Sequence, residues 1–213
     1  MDRKVERVVI LGAGGHSKVI QNIIDRDYPE IEILGYIDRK KRQIELGYLG
    51  TEDDITNLNP KHFKFVMGIG QVDYGIDRKK LIDKLVSMGF EFLSIISKKS
   101  IIAKSSRIGR GTVVLDQVVI NVDSQIGDFC ILNTGSIVEH DCFVGNFVHL
   151  APRATVSGGV KIGNHCFLGA GTVVKHYVSI CDNVIVGAGG VVVKDIDVSG
   201  VYVGVPAKKV NDL

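Results

Sequence analysis

The stretch Leu132-Asn133-Thr134-Gly135-Ser136-Ile137-Val138-Glu139-His140-Asp141-Cys142-Phe143-Val144-Gly145-Asn146-Phe147-Val148-His149-Leu150 sets an aliphatic residue at 132, 138, 144 and 150. The step of six runs on in both directions: from Ile96 to Val192 every sixth residue is Ile, Leu or Val. Four places after each, from Ser100 to Gly190, stands a small or β-branched residue, with Cys130, Cys142 and Cys166 among them. A period of six is neither the 3.6 of a helix nor the 2 of a strand, so a single helix or a hairpin array would scatter these positions over every face. A solenoid gathers them. With three short strands to a coil and about eighteen residues to a turn, the aliphatic residues stack in columns roughly 4.8 Å apart, the spacing of hydrogen-bonded strands. The glycines that follow the aliphatic position (Gly109, Gly127, Gly145, Gly163, Gly169, Gly187) are expected at corners, where positive φ is cheap for glycine. The same register makes the three cysteines small core residues rather than nucleophiles.

Composition agrees with a soluble globular chain: 213 residues, 45% hydrophobic and 23% charged, with 25 Gly, 4 Pro, no Trp and 7% aromatic residues. A formal charge of +2 supplies no broad field for nucleic acid or a membrane surface, so an anionic ligand must be held locally. No apolar run reaches the roughly 18 residues a spanning helix needs, and the charged segment Met1 to Arg7 does not read as a signal peptide. A cytoplasmic chain is therefore expected. The four cysteines fit neither CxxC metal spacing nor a secreted disulfide framework, which makes them reduced thiols.

Residues 1–95 read differently from 96–213, and the boundary is placed near 95. Val5 to Leu11 is a buried-strand run, followed by Gly12-Ala13-Gly14-Gly15-His16-Ser17 and a helical stretch to about Asp27. A second strand is expected over Ile31 to Ile37, a third over Phe63 to Ile69, a helix over Asp77 to Met88, and a last short strand over Phe90 to Ile96. Strand, glycine turn and helix begin an α/β nucleotide fold, here a Rossmann-like βαβ unit. Bare backbone N–H groups at such a turn, backed by the positive end of a helix, suit a diphosphate. Gly12-x-Gly14-x-x-Ser17 lacks the third glycine of the dinucleotide pattern, which favours a nucleotide over NAD. Gly14, Gly15 and His16 are the candidate contacts, with Asp38 at the end of the second strand and Arg39 beside it for the ribose or base. Gly68 and Gly70, after the third strand, offer another close backbone approach.

In the repeat, His140 lies two places after an inward aliphatic residue and so leaves the core column. It has an acidic neighbour on each side, Glu139 and Asp141, and a carboxylate beside imidazole raises its basicity and orients the ring, as a general base for acyl transfer requires. Eighteen residues on, one coil later, stands Gly158, followed by Gly159. A backbone N–H there suits an oxyanion donor, although the glycine pair also fits a plain corner.

The order GAGGHSKV, YID, VMGIG, LNTGSIVEHDC, GNFVHLAP, CFLGAGTVV, VGAGGVVVKD and GVPAK, over nearly the whole chain, resembles the nucleotide-sugar acetyltransferases of bacterial surface-glycan synthesis. Nearest are the UDP-4-amino-sugar and GDP-perosamine N-acetyltransferases, with sialic acid O-acetyltransferases a step away. The resemblance implies a left-handed β-helix, acetyl-CoA as co-substrate, no metal, and a homotrimer with its active sites between subunits. It also implies His140 as base, Asp141 as the residue that raises its basicity and Asn133 as a polar neighbour. His149, Ala170 and Ala188 match acetyl-CoA contacts, and Gly14, Gly15, His16, Asp38 and Arg39 match the nucleotide sugar. His165 and His176 are expected to be exposed coil residues without a role. The expected reaction is N-acetylation of the 4-amino group of a nucleotide-linked amino-deoxy sugar. The alternatives are an O-acetyltransferase, a γ-type carbonic anhydrase, for which His140 and His149 lack a third partner, and a non-catalytic scaffold.

Overall fold

A computed structural model describes residues 5–72 and 75–213; the first four residues, whose charge entered the reading of the N-terminus, lie outside it. The chain divides into two compact units, residues 1–70 with 77–95 and residues 71–76 with 96–213.

The first unit is a βαβ arrangement. Strand β1 (Glu6–Leu11) leads through the glycine turn into helix α1 (Gly15–Asp27), then to β2 (Ile31–Ile37), β3 (Lys64–Met67) and helix α2 (Ile76–Ser87). The sheet order is β2-β1-β3, all parallel, so β1 lies in the centre and the order reverses at its edge. Val8, Val9, Ile10 and Leu11 are buried, as a parallel strand covered on both faces requires. Ile20, Ile23 and Ile24 of α1 are buried too, their spacing laying them on one helical face. Phe90 and Phe92 pack with Phe65 instead of extending a full strand; only the bridge Phe65–Phe92 forms there.

The second unit is a parallel β-solenoid. One face stacks Ile95–Ile96, Val113–Val114, Ile131–Leu132, His149–Leu150, Phe167–Leu168 and Val184–Val186, and is completed by Gly200–Val203 and Lys208–Asn211. The second face stacks Ile101–Ile102, Val119–Ile120, Ile137–Val138, Thr155–Val156, Val173–Val174 and Val191–Val192. The third stacks Arg107–Ile108, Gln125–Ile126, Phe143–Val144, Lys161–Ile162 and Ser179–Ile180. Leu132 pairs with Leu150 and Val138 with Val156, so the register is eighteen residues per coil, as the hexads require. The six-step aliphatic residues fill the interior.

The small inward position does more than save space. Ser106, Thr112, Ser124, Cys130, Cys142 and Cys166 each donate to the carbonyl fifteen residues on, as in Ser124 Oγ to Glu139 O at 2.6 Å and Cys166 Sγ to Cys181 O at 3.2 Å. Burial pushes the Cys166 thiol up to about 12. Burial raises the Cys142 thiol as well, so neither offers a thiolate.

One expectation about the corners is corrected. Gly109, Gly127, Gly145, Gly163, Gly169 and Gly187 do not have positive φ. Left-handed backbone recurs two places later, at every sixth residue from Gly111 to Gly189, with φ between 56 and 69. Most of those positions hold other residues, among them Phe129, Asp141, Phe147 and Tyr177. The glycines after the aliphatic position are needed for close stacking. A Cβ on Gly145 would come within 2.8 Å of Gly163 C, and one on Gly163 within 2.7 Å of Cys181 C. Beside them runs a polar ladder in which the N–H groups of Arg110, Asp128, Asn146 and Asn164 each donate to the side-chain oxygen of the residue one coil later, at 2.7–3.0 Å. Among the described residues no helix is long and apolar enough to cross a membrane.

Candidate active site

In the first unit a cavity of about 520 Å³ opens at the carboxyl ends of the three strands, where the strand order reverses. Gly12 to His16, Asp38, Arg39, Gly68 and Gly70 all line it. The glycines do different things. Gly12 has φ +90, and a Cβ there would meet Ile69 Cγ1 at 2.9 Å, so it shapes the turn. Gly14 and Gly15 have nothing within 4 Å of a would-be Cβ; their bare backbone faces open space at the start of α1. Gly68, expected as a ligand approach, lacks a side chain because a Cβ would collide with Leu11 O at 2.7 Å and Ser17 Cβ at 2.9 Å.

Asp38 has a fixing role. Its Oδ2 accepts from the Ala13 N–H at 2.9 Å and lies 3.5 Å from Arg42 Nε, which ties the end of β2 to the glycine turn. Oδ1 makes no hydrogen bond among the described residues and remains available. The cavity also takes in Arg42, Glu52, Ile55, Arg78 and Leu81, none of which the sequence reading singled out. Arg78 is only 4% exposed, its Nε donating to Ile69 O at 3.2 Å. Nothing in the helical pattern distinguishes it from the lysines that follow, so only the fold brings it to the cavity.

In the second unit His140 and Asp141 occupy the corner between the second and third faces. Asp141 holds the left-handed position at φ 57, a conformation that Asp tolerates better than most residues. Its Oδ2 lies 2.8 Å from His140 Nδ1. Nδ1 donates to this carboxylate, which leaves Nε2 as the ring nitrogen that can accept a proton. Of the two acidic neighbours only Asp141 does this; Glu139 turns away and accepts from Asn121 Nδ2 at 3.0 Å. The His140 ring leans over Gly158: a Cβ there would stand 2.5 Å from Nε2 and 2.6 Å from Cε1. Gly158 is buried, and its N–H has no hydrogen-bond partner among the described residues, whereas the N–H of Gly159 donates to His140 O at 2.9 Å.

His149 lies on a strand of the first face, and Asn133, Ala170 and Ala188 lie on the other edge of the second face, at the corner it shares with the first. Ala170 and Ala188 are exposed there, each followed by a left-handed glycine, Gly171 or Gly189, with nothing within 4 Å of a would-be Cβ. Asn133, expected beside His140, hydrogen-bonds His149 instead, Nδ2 to Nε2 at 3.2 Å, while its Oδ1 accepts from the Thr134 N–H at 2.8 Å. His149, expected as an acetyl-CoA contact, is 6% exposed. Its Nδ1 donates to Gln71 O, and its ring meets Phe167 edge-on at 5.2 Å. The side chain is packed into the wall, held between Gln71 and Asn133. His165 is also not a free coil residue: half-buried, it stacks on Phe147 at 4.9 Å and 7°, and Phe147 stacks on Phe129 at 5.4 Å. His176 is exposed.

Residues 7–85 match the PglD N-terminal domain, and residues 141–176 and 159–194 match the bacterial transferase hexapeptide (six repeats). A curated relative, UDP-N-acetylbacillosamine N-acetyltransferase of Bacillus subtilis, is 33% identical over 116 residues, 52% of this chain; the match spans about half of that relative's length, 52%. A variant of perosamine N-acetyltransferase from Caulobacter crescentus, solved with CoA and GDP-perosamine, superposes with TM-score 0.89 at 34% identity, covering 98% of this chain and 99% of that one. The acetyltransferase domain of PglB from Neisseria gonorrhoeae, solved with acetyl coenzyme A, gives TM-score 0.89 at 28% identity over 97% of this chain and 100% of that one. With a PglD-type N-terminal domain, a hexapeptide solenoid and end-to-end similarity to the perosamine enzyme, the chain belongs to the family of hexapeptide-repeat sugar N-acetyltransferases.

Proposed function

We propose that this protein transfers the acetyl group of acetyl-CoA to the 4-amino group of a nucleotide-linked amino-deoxy sugar. The observation that carries the reading is the His140 corner: a ring fixed at Nδ1 by Asp141, its Nε2 lone pair free, seated on a glycine whose N–H is unused. The sugar amine attacks the thioester carbonyl while His140 Nε2 takes its proton, and that proton leaves with the CoA sulfur as the tetrahedral intermediate collapses. The Gly158 N–H is the candidate donor to the oxyanion, a contribution of about 2.7–4 kcal/mol to the barrier when well placed. Residues 1–95 are assigned to the nucleotide sugar, with the diphosphate at Gly14, Gly15 and His16, and Asp38 Oδ1 and Arg39 toward the nucleoside. Residues 96–213 are assigned to the transfer itself, with Ala170 and Ala188 toward acetyl-CoA.

The solenoid's second face supports a homotrimer as part of this reading. Its outward residues Ile101, Val119, Ile137, Thr155, Val173 and Val191 are all aliphatic or Thr, while the corresponding residues of the third face are Arg107, Gln125, Phe143, Lys161 and Ser179. Ile101 is 69% and Val173 39% exposed, so apolar surface waits for a cover. The His140 corner and the Asn133–Ala170–Ala188 corner are the two edges of this face. A ring of three copies packed through it sets one copy's base against the next copy's acetyl-CoA residues.

The test is a panel of UDP-, dTDP- and GDP-linked 4-amino-6-deoxy sugars with acetyl-CoA, read by thiol release and by the acetyl mass on the sugar. Acetyl on the amine is expected. Acetyl found only on hydroxyl sugars makes the enzyme an O-acetyltransferase, and a His140→Ala variant that keeps most of its kcat removes the base assignment.

A further inference from the structure

The His140 corner carries a second ring that the chemistry above does not use. Tyr177 takes the left-handed position two coils beyond Asp141, with φ 60, and is 73% exposed. Its ring lies over Gly159, where a Cβ would come within 2.4 Å of Cδ1 and 2.6 Å of Cε1. His176 meets it edge-on, centroids 5.4 Å apart at 88°. The glycine pair is therefore a bare floor on which two rings rest, His140 on Gly158 and Tyr177 on Gly159.

Other aromatic residues at left-handed corners recover that strain by burial: Phe129 and Phe147 stack on each other and are 3% and 8% exposed. Tyr177 gains no such cover from the described residues, and its hydroxyl has no hydrogen-bond partner among them. An amphipathic side chain placed this way, two coils along the same corner from the candidate base, is suited to a ligand with both apolar and amide segments.

Resting on the acetyltransferase reading, we propose that Tyr177 binds the acyl donor: its ring packs against the apolar part of the pantetheine arm and its hydroxyl bonds one of the arm's amides. Height along the solenoid favours the donor over the sugar. Tyr177 stands in the same coil as Ala170 and Gly171, with Ala188 and Gly189 in the next, whereas His140 lies two coils earlier. A donor laid along the exposed alanines of one copy passes the neighbouring copy's Tyr177 on the way to its His140.

The experiment is steady-state kinetics of wild type, Tyr177→Ala and Tyr177→Phe, varying acetyl-CoA and the accepted nucleotide sugar in turn, with calorimetric titration of CoA into each protein. Tyr177→Ala is expected to raise the KM for acetyl-CoA about tenfold and weaken CoA binding in parallel, with kcat and the sugar KM within twofold. Tyr177→Phe, which keeps the ring, is expected to recover most of that loss. A rise in the sugar KM instead, or no change in either KM, overturns the assignment. If the wild type itself transfers no acetyl group, the acetyltransferase reading falls with it; an active wild type beside an indifferent Tyr177→Ala variant overturns the Tyr177 assignment alone.

Discussion

Gly158→Ala isolates what the seat under His140 contributes. The residue does not have positive φ, so alanine meets no backbone objection, and the backbone N–H is retained. The added methyl would stand 2.5 Å from His140 Nε2 and 2.6 Å from Cε1, against an ordinary contact of about 3.5 Å or more, so the ring must move by about 1 Å. A misplacement of that size costs on the order of 10²-fold in rate, about 2.7 kcal/mol in the barrier. Stability should hardly notice. The His140 side chain is 47% exposed and can swing into water, and its hydrogen bond to Asp141 is an exposed one worth about 0.5–1.5 kcal/mol. The expected outcome is a kcat roughly 100-fold lower, both KM values within a few-fold, and a Tm lowered by only a few degrees. Gly163→Ala is the contrast: its Cβ would strike Asp182 N at 2.6 Å and Cys181 C at 2.7 Å, backbone that cannot step aside. That variant should lose stability and keep its kcat per folded molecule. The reasoning also requires non-additivity, because Gly158→Ala acts through the ring. Placed in a His140→Ala background, the substitution should cost almost nothing further; a full 100-fold loss there, or an unchanged kcat in the wild-type background, refutes it.

The uncovered face and the buried thiol give two more expectations. Val173→Glu sets a charge on the apolar second face and should convert a trimer in sedimentation velocity to a monomer, with acetyl transfer lost in step; a monomeric variant that keeps full activity would place the site within one chain. Burial holds the Cys166 proton more tightly in the folded state, at about 12 against an ordinary 9.0, so folding stability from this group is whole below pH 9 and falls as pH rises towards 12. Cys166→Ala, which also loses the buried sulfur and its bond to Cys181 O, should lower stability at neutral pH and flatten the alkaline decline, and Cys166 should resist alkylation at pH 8 until the protein unfolds.

The hexad register was legible in the sequence because a solenoid is nearly one-dimensional: each coil touches only its neighbours, so an eighteen-residue pairing such as Leu132 with Leu150 is written directly into the spacing. The same reason placed Gly158 against His140. The order strand, glycine turn, helix was legible too, since β1 and α1 are local structure and Gly14 and Gly15 leave bare backbone facing open space. What the spacing could not tell was which way a side chain turns once the coil is built. Glu139 and Asp141 flank His140 equally in sequence, yet only Asp141, turned by its left-handed backbone, reaches Nδ1. Nor could the spacing tell that His149 is buried, its Nδ1 bonded to the carbonyl of Gln71, far away in sequence, and its Nε2 to Asn133.

By itself, then, the sequence determined the periodic part of this protein: the solenoid, its aliphatic core, the nucleotide-type turn and the column that carries the candidate base. Tertiary structure decided the contacts that depend on distant chain and on corner dihedrals. It tied Asp38 to the glycine turn, brought Arg78 to the cavity, buried His149, and left Tyr177 standing open two coils along the His140 corner. The physical division is between interactions fixed by a repeat, which recur at constant separation, and interactions fixed by where side chains are free to point, which exist only once the coils are stacked.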